Sequence, residues 1–226
     1  MNTDTQKIQD MLGAGVHFGH NRARRHPSAK PYIFANKNGT DIFDLTKIEE
    51  MIMKAETFLA ECGKEKKTIL FVGVKPEAKA ITKEVAIALS MPYVTNRWIG
   101  GTLTNFKEIK RRLDRLQTLT DAEKTGEDAK YTKKERLLLN REAIKLDKMF
   151  GGLIGVTKKP DVIVIIDTKQ EHIAQMEAER TGVPIISISG SDNNIDDIGY
   201  PIMVNDSSKS SITYVMRRLE NAYKGS

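Results

Sequence analysis

Acidic and imidazole side chains follow the predicted strands at the ends where open parallel sheets bind ligands. Asp167, His172, Asp192 and Asp206 lie at or just after the carboxyl ends of apolar runs. Such groups could hold a divalent ion or act in acid–base chemistry. Asp167 and Asp206 could equally cap the helices that follow them. The chain contains no H-E-x-x-H, no paired C-x-x-C and no G-x-S-x-G motif, so we expect neither a metal site nor a catalytic site.

A second segment that could do chemistry is RWIGGTLTNF, residues 97–106, which contains the only tryptophan. Two glycines precede a predicted helix, and Thr102 or Thr104 could cap that helix. Exposed backbone amides in such a turn favour an anion, for instance an RNA phosphate. The alternative is a tight turn between a strand and a helix. We predict mainly such a joint, with Trp98 packed at its base and Arg97 meeting RNA or a carboxylate of the fold.

Residues 17–34, HFGHNRARRHPSAKPYIF, form a basic and aromatic segment without an acidic residue. Pro27 and Pro31 prevent a long helix, so the pattern predicts an irregular basic arm. Arginine matches phosphate with two donors and aromatic rings stack on unpaired bases, so this composition favours RNA binding. The alternative is a surface loop whose arginines pair with carboxylates of the fold. The residues predicted to contact RNA are His17, His20, Arg22, Arg24, Arg25, His26 and Lys30.

The charge balance indicates the class of partner. The 226 residues include 36 Lys and Arg against 30 Asp and Glu, a formal net charge of +6, and 39% are hydrophobic, which is enough for a buried core. A basic balance favours an acidic partner such as RNA. Cys62 is the only cysteine and cannot form an internal disulfide. Without a signal-peptide pattern or an apolar run of about 18 residues, we expect a cytoplasmic protein that is complete from its first methionine.

Strand and helix patterns alternate along most of the chain. The apolar runs that predict five core strands are residues 69–73, 93–96, 162–167, 184–189 and 201–204. The predicted helices are one from Ile48 to a stop at Gly63, one that begins at Pro76, one over 170–181, and a last one with Ile212, Val215, Met216 and Leu219 on one face. The alternation predicts an α/β fold with a doubly wound parallel sheet. Two apolar runs within residues 32–43 predict an N-terminal β-hairpin.

Residues 103–150 interrupt the alternation, because they contain no strand pattern. Apolar side chains recur at helical spacing over 106–116 and 139–150, as in the seams of a coiled coil. We predict an inserted antiparallel helical hairpin at 103–150 and a core domain composed of 1–102 and 151–226. A solvated charged face is the simplest interpretation of its outer side. The further candidate RNA contacts are Arg97, Lys107, Lys110 and Arg111.

Five segments, taken in order, resemble the bacterial small-subunit ribosomal protein two family over essentially the whole chain. They are GVHFGHNRARRHPSAKPYIFANKNGTDIFDL, ILFVGVK, NRWIGGTLTNFKEI, DVIVIIDTKQEHIAQMEAERTGVPIISI and PIMVND. The combination of HFGH, KPYIF and RWIGGTLTNF is highly specific. The resemblance implies a flavodoxin-like sheet with an inserted helical hairpin.

The resemblance also implies a function. Members of the family bind small-subunit ribosomal RNA between the head and the body of the subunit. They contact neighbouring ribosomal proteins and support the binding of ribosomal protein one, the large messenger-binding protein. The implied role is a structural one in translation. It involves no enzyme activity, cofactor, metal, membrane or small-molecule substrate.

The chain departs from the family pattern at three places. The family commonly has Trp-Asn at residues 25–26, Asp-Thr-Asn-x-Asn/Asp-Pro within 187–197, and Asn-Asp-Asp-Ala at 205–208. The first change keeps RNA-binding character, whereas the other two bear on any ligand or ion at the strand ends. Two rival functions remain open. One is a sheet-edge enzyme that uses Asp167, His172 and Asp192, and the other is a regulatory RNA binder outside the ribosome.

Overall fold

The computed structural model describes residues 3–125 and 131–225. The helices are α1 (Thr3–Gly13), α2 (Leu45–Lys64), α3 (Pro76–Ala88), α4 (Phe106–Thr125), α5 (Lys133–Phe150), α6 (His172–Thr181) and α7 (Lys209–Lys224). The strands are β1 (Phe18–Asn21), β2 (Ile33–Lys37), β3 (Thr40–Phe43), β4 (Ile69–Val72), β5 (Tyr93–Val94), β6 (Val162–Ile166), β7 (Ile185–Ser189) and β8 (Tyr200–Met203). Short 3-10 helices span Arg22–Arg24, Pro27–Tyr32 and Gly151–Leu153.

Five parallel strands form the central sheet in the order β5-β4-β6-β7-β8. Numbered along the chain, this is the 2-1-3-4-5 order of flavodoxin-like folds, so the predicted fold class is confirmed. Strands β4, β6 and β7 are buried at every residue, as their continuous apolar runs predict. Strand β5 is shorter than predicted. It pairs only with Phe71 and Val72, and β4 ends there, so residues 95–96 have no strand to join.

Helices cover both faces of the sheet. Helices α2, α3 and α7 pack together, and α6 contacts β6 and β7. Right-handed crossovers from β4 and from β6 run in opposite directions, which puts α3 and α6 on opposite faces. The predicted apolar face of α7 is confirmed, since all four of its predicted residues are buried. The predicted stop of α2 at Gly63 is wrong, because the helix continues to Lys64 and the chain reverses at Lys66, which has a φ of 52°.

A small antiparallel sheet with the order β1-β3-β2 precedes the central one. The predicted hairpin is confirmed as β2 and β3, joined at Asn38 and Gly39, both of which have positive φ. The sequence did not predict β1 or α1. The residues of β1, FGHN, include glycine and asparagine, which are poor strand formers, and only pairing with β3 organises them.

The inserted segment consists of α4 and α5, which pack against each other. Their predicted seam is largely buried, including Ile109, Leu113, Leu116, Leu146 and Phe150. Thr132 and Glu135 form a capping box that starts α5. The predicted loop around Gly126 lies outside the described residues. Within the described ranges, none of the helices combines the length and the apolar character needed to cross a bilayer.

Candidate nucleic-acid interface

The basic arm, residues 17–34, is held against the loop that follows β7. The backbone amide of His26 donates to the carbonyl of Ser191 at 2.9 Å, and the amide of His20 donates to Ser191 Oγ at 2.8 Å. Within the arm, Asn21 Oδ1 accepts from the amide of Ala23 at 2.9 Å. Pro27 opens the second 3-10 helix. The arm therefore has a defined backbone conformation, although Phe18–Asn21 form a strand rather than the irregular structure predicted.

Three cations of the arm face solvent. Arg22, Arg24 and Lys30 are exposed, and none of them forms an ion pair with the residues described at 3–125 and 131–225. Their spacing along a segment with a fixed backbone presents separate positive charges, which is the arrangement that separate phosphates require.

Arg25 and His26 are half-buried and have partners within the fold. Arg25 Nη1 lies 3.4 Å from Oδ1 of Asp41, a carboxylate with 0% exposure that also accepts from Asn36 Nδ2 at 2.9 Å. His26 Nδ1 lies 2.8 Å from Ser28 Oγ. The alternative interpretation of the arginines, pairing with a carboxylate of the fold, thus describes Arg25 but neither Arg22 nor Arg24.

His20 belongs to an acid–base cluster at the carboxyl ends of the strands. Its Nε2 lies 2.9 Å from Asp206 Oδ1 and 3.3 Å from Asp192 Oδ1. Lys75 Nζ lies 2.8 Å from carboxylate oxygens of both Asp206 and Asp167. The hydrogen bond to Asp206 raises the pKa of His20. Burial opposes ionisation of Asp206, but the bonds from His20 and Lys75 outweigh it and hold the pKa of Asp206 below its ordinary value.

The cluster brings together Asp167, Asp192 and Asp206, which are three of the four predicted strand-end residues. The ligand-type atoms of His20, Asp192 and Asp206 lie within 4.8 Å of one another, as metal ligands would. The negative charges of these carboxylates are, however, already offset by nearby cations. Asp192 also pairs with Lys169 at 2.8 Å. The suggested helix cap at Asp206 is wrong, because its oxygens face His20 and Lys75 and Ser208 is the cap residue of α7.

Asp167, His172 and the neighbouring Glu171 have different surroundings at the start of α6. Asp167 pairs with Lys75 and also accepts from the amide of Gln170 at 3.2 Å, so it closes the turn that precedes α6. His172 is exposed and shares no hydrogen bond with the cluster among the described residues. Burial, helped by the nearby charge of Asp167, raises the pKa of Glu171 to about 7. The sequence pattern did not single out Glu171 or Lys75, because neither lies in a recognisable motif.

The segment RWIGGTLTNF forms a turn whose donors converge on Glu177 of α6. The amide of Gly101 donates to Oε1 at 2.6 Å, and the amides of Leu103 and Thr104 donate to Oε2 at 2.9 and 3.2 Å. Trp98 Nε1 donates to Oε1 at 3.3 Å. The amides that could have bound a phosphate are thus occupied by a carboxylate of the chain itself. Burial opposes ionisation of Glu177, but these bonds outweigh it and lower its pKa.

Two further predictions about this segment can be compared with the structure. The prediction that Trp98 packs at the base of the hairpin is confirmed, since the ring is buried. The predicted threonine caps are wrong. Thr102 Oγ1 donates to the carbonyl of Ile99, Thr104 Oγ1 donates to Glu177, and α4 begins only at Phe106. The reason is a tertiary contact. The carboxylate of Glu177, which is distant in sequence, accepts hydrogen bonds from the donors that a local helix cap would have satisfied.

The predicted contacts near the hairpin are exposed. Arg97, Lys107 and Lys110 face solvent, and Arg111 is exposed while its Nη1 lies 3.2 Å from Glu108 Oε2. The hairpin follows β5, at one edge of the sheet, whereas the arm is held by the loop after β7. His17 is half-buried, and burial lowers its pKa. The structure therefore gives two separate groups of predicted contacts rather than one.

Two phenylalanines of the arm are exposed, although such side chains are usually buried. Phe34 is 76% exposed and Phe18 is 46% exposed. The register of β2 shifts between Ile33 and Ala35, so Phe34 is the extra residue of a bulge. The alternation of apolar residues in the sequence does not indicate that Phe34 points outward.

The fold and these surfaces define an α/β protein with a flavodoxin-like sheet, an inserted helical hairpin and a basic arm held at the strand ends. The family model described as "Ribosomal protein S2" matches residues 11–226. The small ribosomal subunit protein uS2 of Dictyoglomus thermophilum is 42% identical over 215 residues, which cover 95% of this chain and 87% of the relative. The chain belongs to the ribosomal protein S2 family.

Relatives from other organisms have similar identity. The small ribosomal subunit protein uS2 of Kocuria rhizophila is 41% identical over 216 residues, which cover 95% of this chain and 76% of the relative. That of Sulfurimonas denitrificans is 39% identical over 215 residues, with 95% and 83% covered. The similarity therefore extends through the arm, the sheet and the hairpin.

Proposed function

We propose that this chain is a structural constituent of the small ribosomal subunit and binds small-subunit ribosomal RNA between head and body. Membership of the family supports the place in the subunit. The single observation that carries RNA binding is the set of exposed cations Arg22, Arg24 and Lys30, which form no ion pair within the described part of the chain and lie on an arm whose backbone is fixed. Phosphate contacts from such side chains provide most of the affinity of a protein for nucleic acid.

The anchoring of the arm supports the same proposal. A flexible arginine-rich loop loses conformational entropy when it binds, and that loss weakens binding. Here the hydrogen bonds from His20 and His26 to Ser191 fix the arm before RNA arrives. Arg25 has a stabilising part in this arrangement, because it pairs with Asp41 beneath the arm. The contacts of Arg25, His17, His20 and His26 with RNA stay predictions.

The hairpin provides the second group of RNA contacts in this proposal. Lys107, Lys110 and Arg97 are exposed near its base, and Arg111 is exposed beside them. Since the hairpin follows β5 at one edge of the sheet and the arm is held by the loop after β7, separate RNA segments could bind at once. Such an arrangement suits a protein placed between two parts of a folded RNA.

We assign contacts with neighbouring ribosomal proteins, including ribosomal protein one, to the exposed phenylalanines. Phe18 lies on β1 and Phe34 on β2, the two outer strands of the small sheet, and both side chains are exposed. Exposed aromatic side chains suit contacts with protein better than contacts with phosphate. Aromatic residues are also enriched among the residues that dominate binding energy in protein interfaces.

The proposed role is a structural one in translation, in the cytoplasm, without catalysis or a cofactor. The charges of Asp167, Asp192 and Asp206 are offset by Lys75, Lys169 and His20, which supports a stabilising role for that cluster.

Sedimentation of the small subunit tests the proposal. The chain is expected to remain in subunits washed with high salt at one copy per subunit. Subunits that lack the chain should regain it at the same ratio when purified protein is added. A chain that binds RNA but is absent from washed subunits would instead be a regulatory RNA binder. Turnover of a nucleotide by the free protein would favour the sheet-edge enzyme.

A further inference from the structure

The turn that starts the hairpin has the geometry of an anion-binding site. Within residues 98–104, three backbone amides, one indole N–H and one hydroxyl point toward a common centre. Gly101 has a φ of 93°, which allows successive amides to face the same side and which strains any other residue. Turns of this kind, called nests, bind phosphates and carboxylates in many proteins.

The anion in this nest is the side chain of Glu177. Glu177 is 6% exposed, and no lysine, arginine or histidine among residues 3–125 and 131–225 forms an ion pair with its carboxylate. A buried charge without a cation is stable only when hydrogen-bond donors surround it. All the hydrogen bonds between α6 and the turn that the described residues form use this one side chain.

We propose that Glu177 is the internal ligand of an anion-binding nest at residues 98–104, and that this ligand fixes the orientation of the hairpin on the sheet. Helix α6 packs on β6 and β7, so Glu177 joins the body of the protein to the turn from which α4 leaves. Helix α4 has 20 residues and is about 30 Å long, so a small rotation at its base is magnified at its tip.

The proposal has a direct chemical consequence. Removal of the carboxylate leaves five donors around an empty space, and this space has the shape of a small carboxylate. Acetate in solution should therefore occupy the nest of a Glu177→Ala variant. In a Glu177→Gln variant the side-chain amide still fills the space, so acetate should have no effect on it.

Distances between paired spin labels measure the orientation of the hairpin in the full chain. Labels on Lys134→Cys in α5 and Lys83→Cys in α3 report it, because both positions are exposed and the native Cys62 is buried. Glu179→Gln is the matched control, since it removes an exposed charge from the same helix. We expect one narrow distance distribution in the wild type and in the control, and broad distributions in both Glu177 variants.

Amide hydrogen exchange gives a second measurement for these variants. Exchange at Gly101, Leu103 and Thr104 should be roughly tenfold faster or more in Glu177→Gln, because each amide loses a charged acceptor. In Glu177→Ala, sodium acetate should narrow the distance distribution, and sodium chloride at equal concentration should not.

Three results would overturn the proposal. One is a narrow distribution in Glu177→Ala without acetate, which would mean that packing alone orients the hairpin. Another is equal narrowing by chloride and acetate. The third is unchanged exchange in Glu177→Gln, and this measurement decides the matter if Glu177→Ala does not fold.

Discussion

Replacing Arg22 and Arg24 together with alanine should reduce the salt dependence of RNA binding. Each phosphate that a cation neutralises releases counterions and adds about 0.7–0.9 to the slope of log affinity against log salt concentration. Both arginines are exposed and have no ion pair among the described residues, so both are free to contact phosphate. The double variant should therefore flatten the slope by about 1.4–1.8. Its stability should hardly change, because exposed residues usually cost less than about 0.5 kcal/mol each.

Arg25→Ala should have the opposite effect. Asp41 is 0% exposed, and its Oδ2 has no hydrogen-bond partner among the described residues. Loss of Arg25 leaves only the bond from Asn36 to this carboxylate. We expect a decrease of about 1–3 kcal/mol in the free energy of unfolding, measured with urea, and a smaller change in the salt slope than the Arg22 and Arg24 variant shows.

Binding isotherms over a series of salt concentrations, on small subunits that lack this chain, provide the assay. Lys64→Ala combined with Lys83→Ala is the matched control. It removes the same charge from two exposed lysines on α2 and α3, and should leave the slope unchanged. A wild-type slope in the Arg22 and Arg24 variant would refute the assignment of the arm. The hairpin lysines, Lys107 and Lys110, would then be the next candidates.

The other predictions concern the hairpin, the buried acid Glu171 and the exposed phenylalanines. Replacing residues 107–148 with a short Gly-Ser loop should leave cooperative unfolding of the sheet intact, because each helix buries its seam mainly against the other; an aggregated product would make the hairpin part of the main core. Glu171→Gln should match the wild type near pH 4, below the ordinary pKa of the carboxyl, and be more stable by up to about 3 kcal/mol at pH 8. The reason is that the pKa of Glu171, raised from its ordinary value of 4.5 to about 7, makes stability fall as pH rises through that range. Urea unfolding at both values measures this, and a constant difference between the two proteins would contradict it. Replacing Phe18 and Phe34 with alanine should weaken binding of ribosomal protein one to the subunit, measured by co-sedimentation, without changing the salt slope for RNA; unchanged binding of that protein would refute the assignment.

Local sequence patterns were sufficient to predict most of the helices and strands of the fold. Runs such as 69–73 and 162–167 predict buried parallel strands because both faces of each strand need apolar side chains. The spacing of apolar residues in 106–116 predicts the helical seam for the same kind of reason. Element ends were less predictable. Strand β5 is short because its partner β4 ends, and no residue within 93–96 carries that information.

The site depended on contacts between distant parts of the chain, and single-sequence patterns contain little information about these. His20 meets Asp206 across 186 positions, and Trp98 meets Glu177 across 79. A sequence pattern gives the donors of residues 98–104 but not the acceptor, so a threonine cap and a phosphate both remained open. The sequence identifies residues 17–34 as a basic segment, but only the structure separates Arg25, which pairs with Asp41, from the exposed Arg22.

The central claim is that this chain is held in the small subunit by RNA contacts of the basic arm. A map of the ribosomal RNA nucleotides that the bound chain protects from chemical cleavage tests it most directly. We predict that the wild type protects a set of nucleotides. The control in which Lys64 and Lys83 are replaced should protect the same set. Part of that set should lose protection when Arg22 and Arg24 are replaced. Identical protection in all three proteins, or no protected nucleotides with the wild type, would contradict the claim.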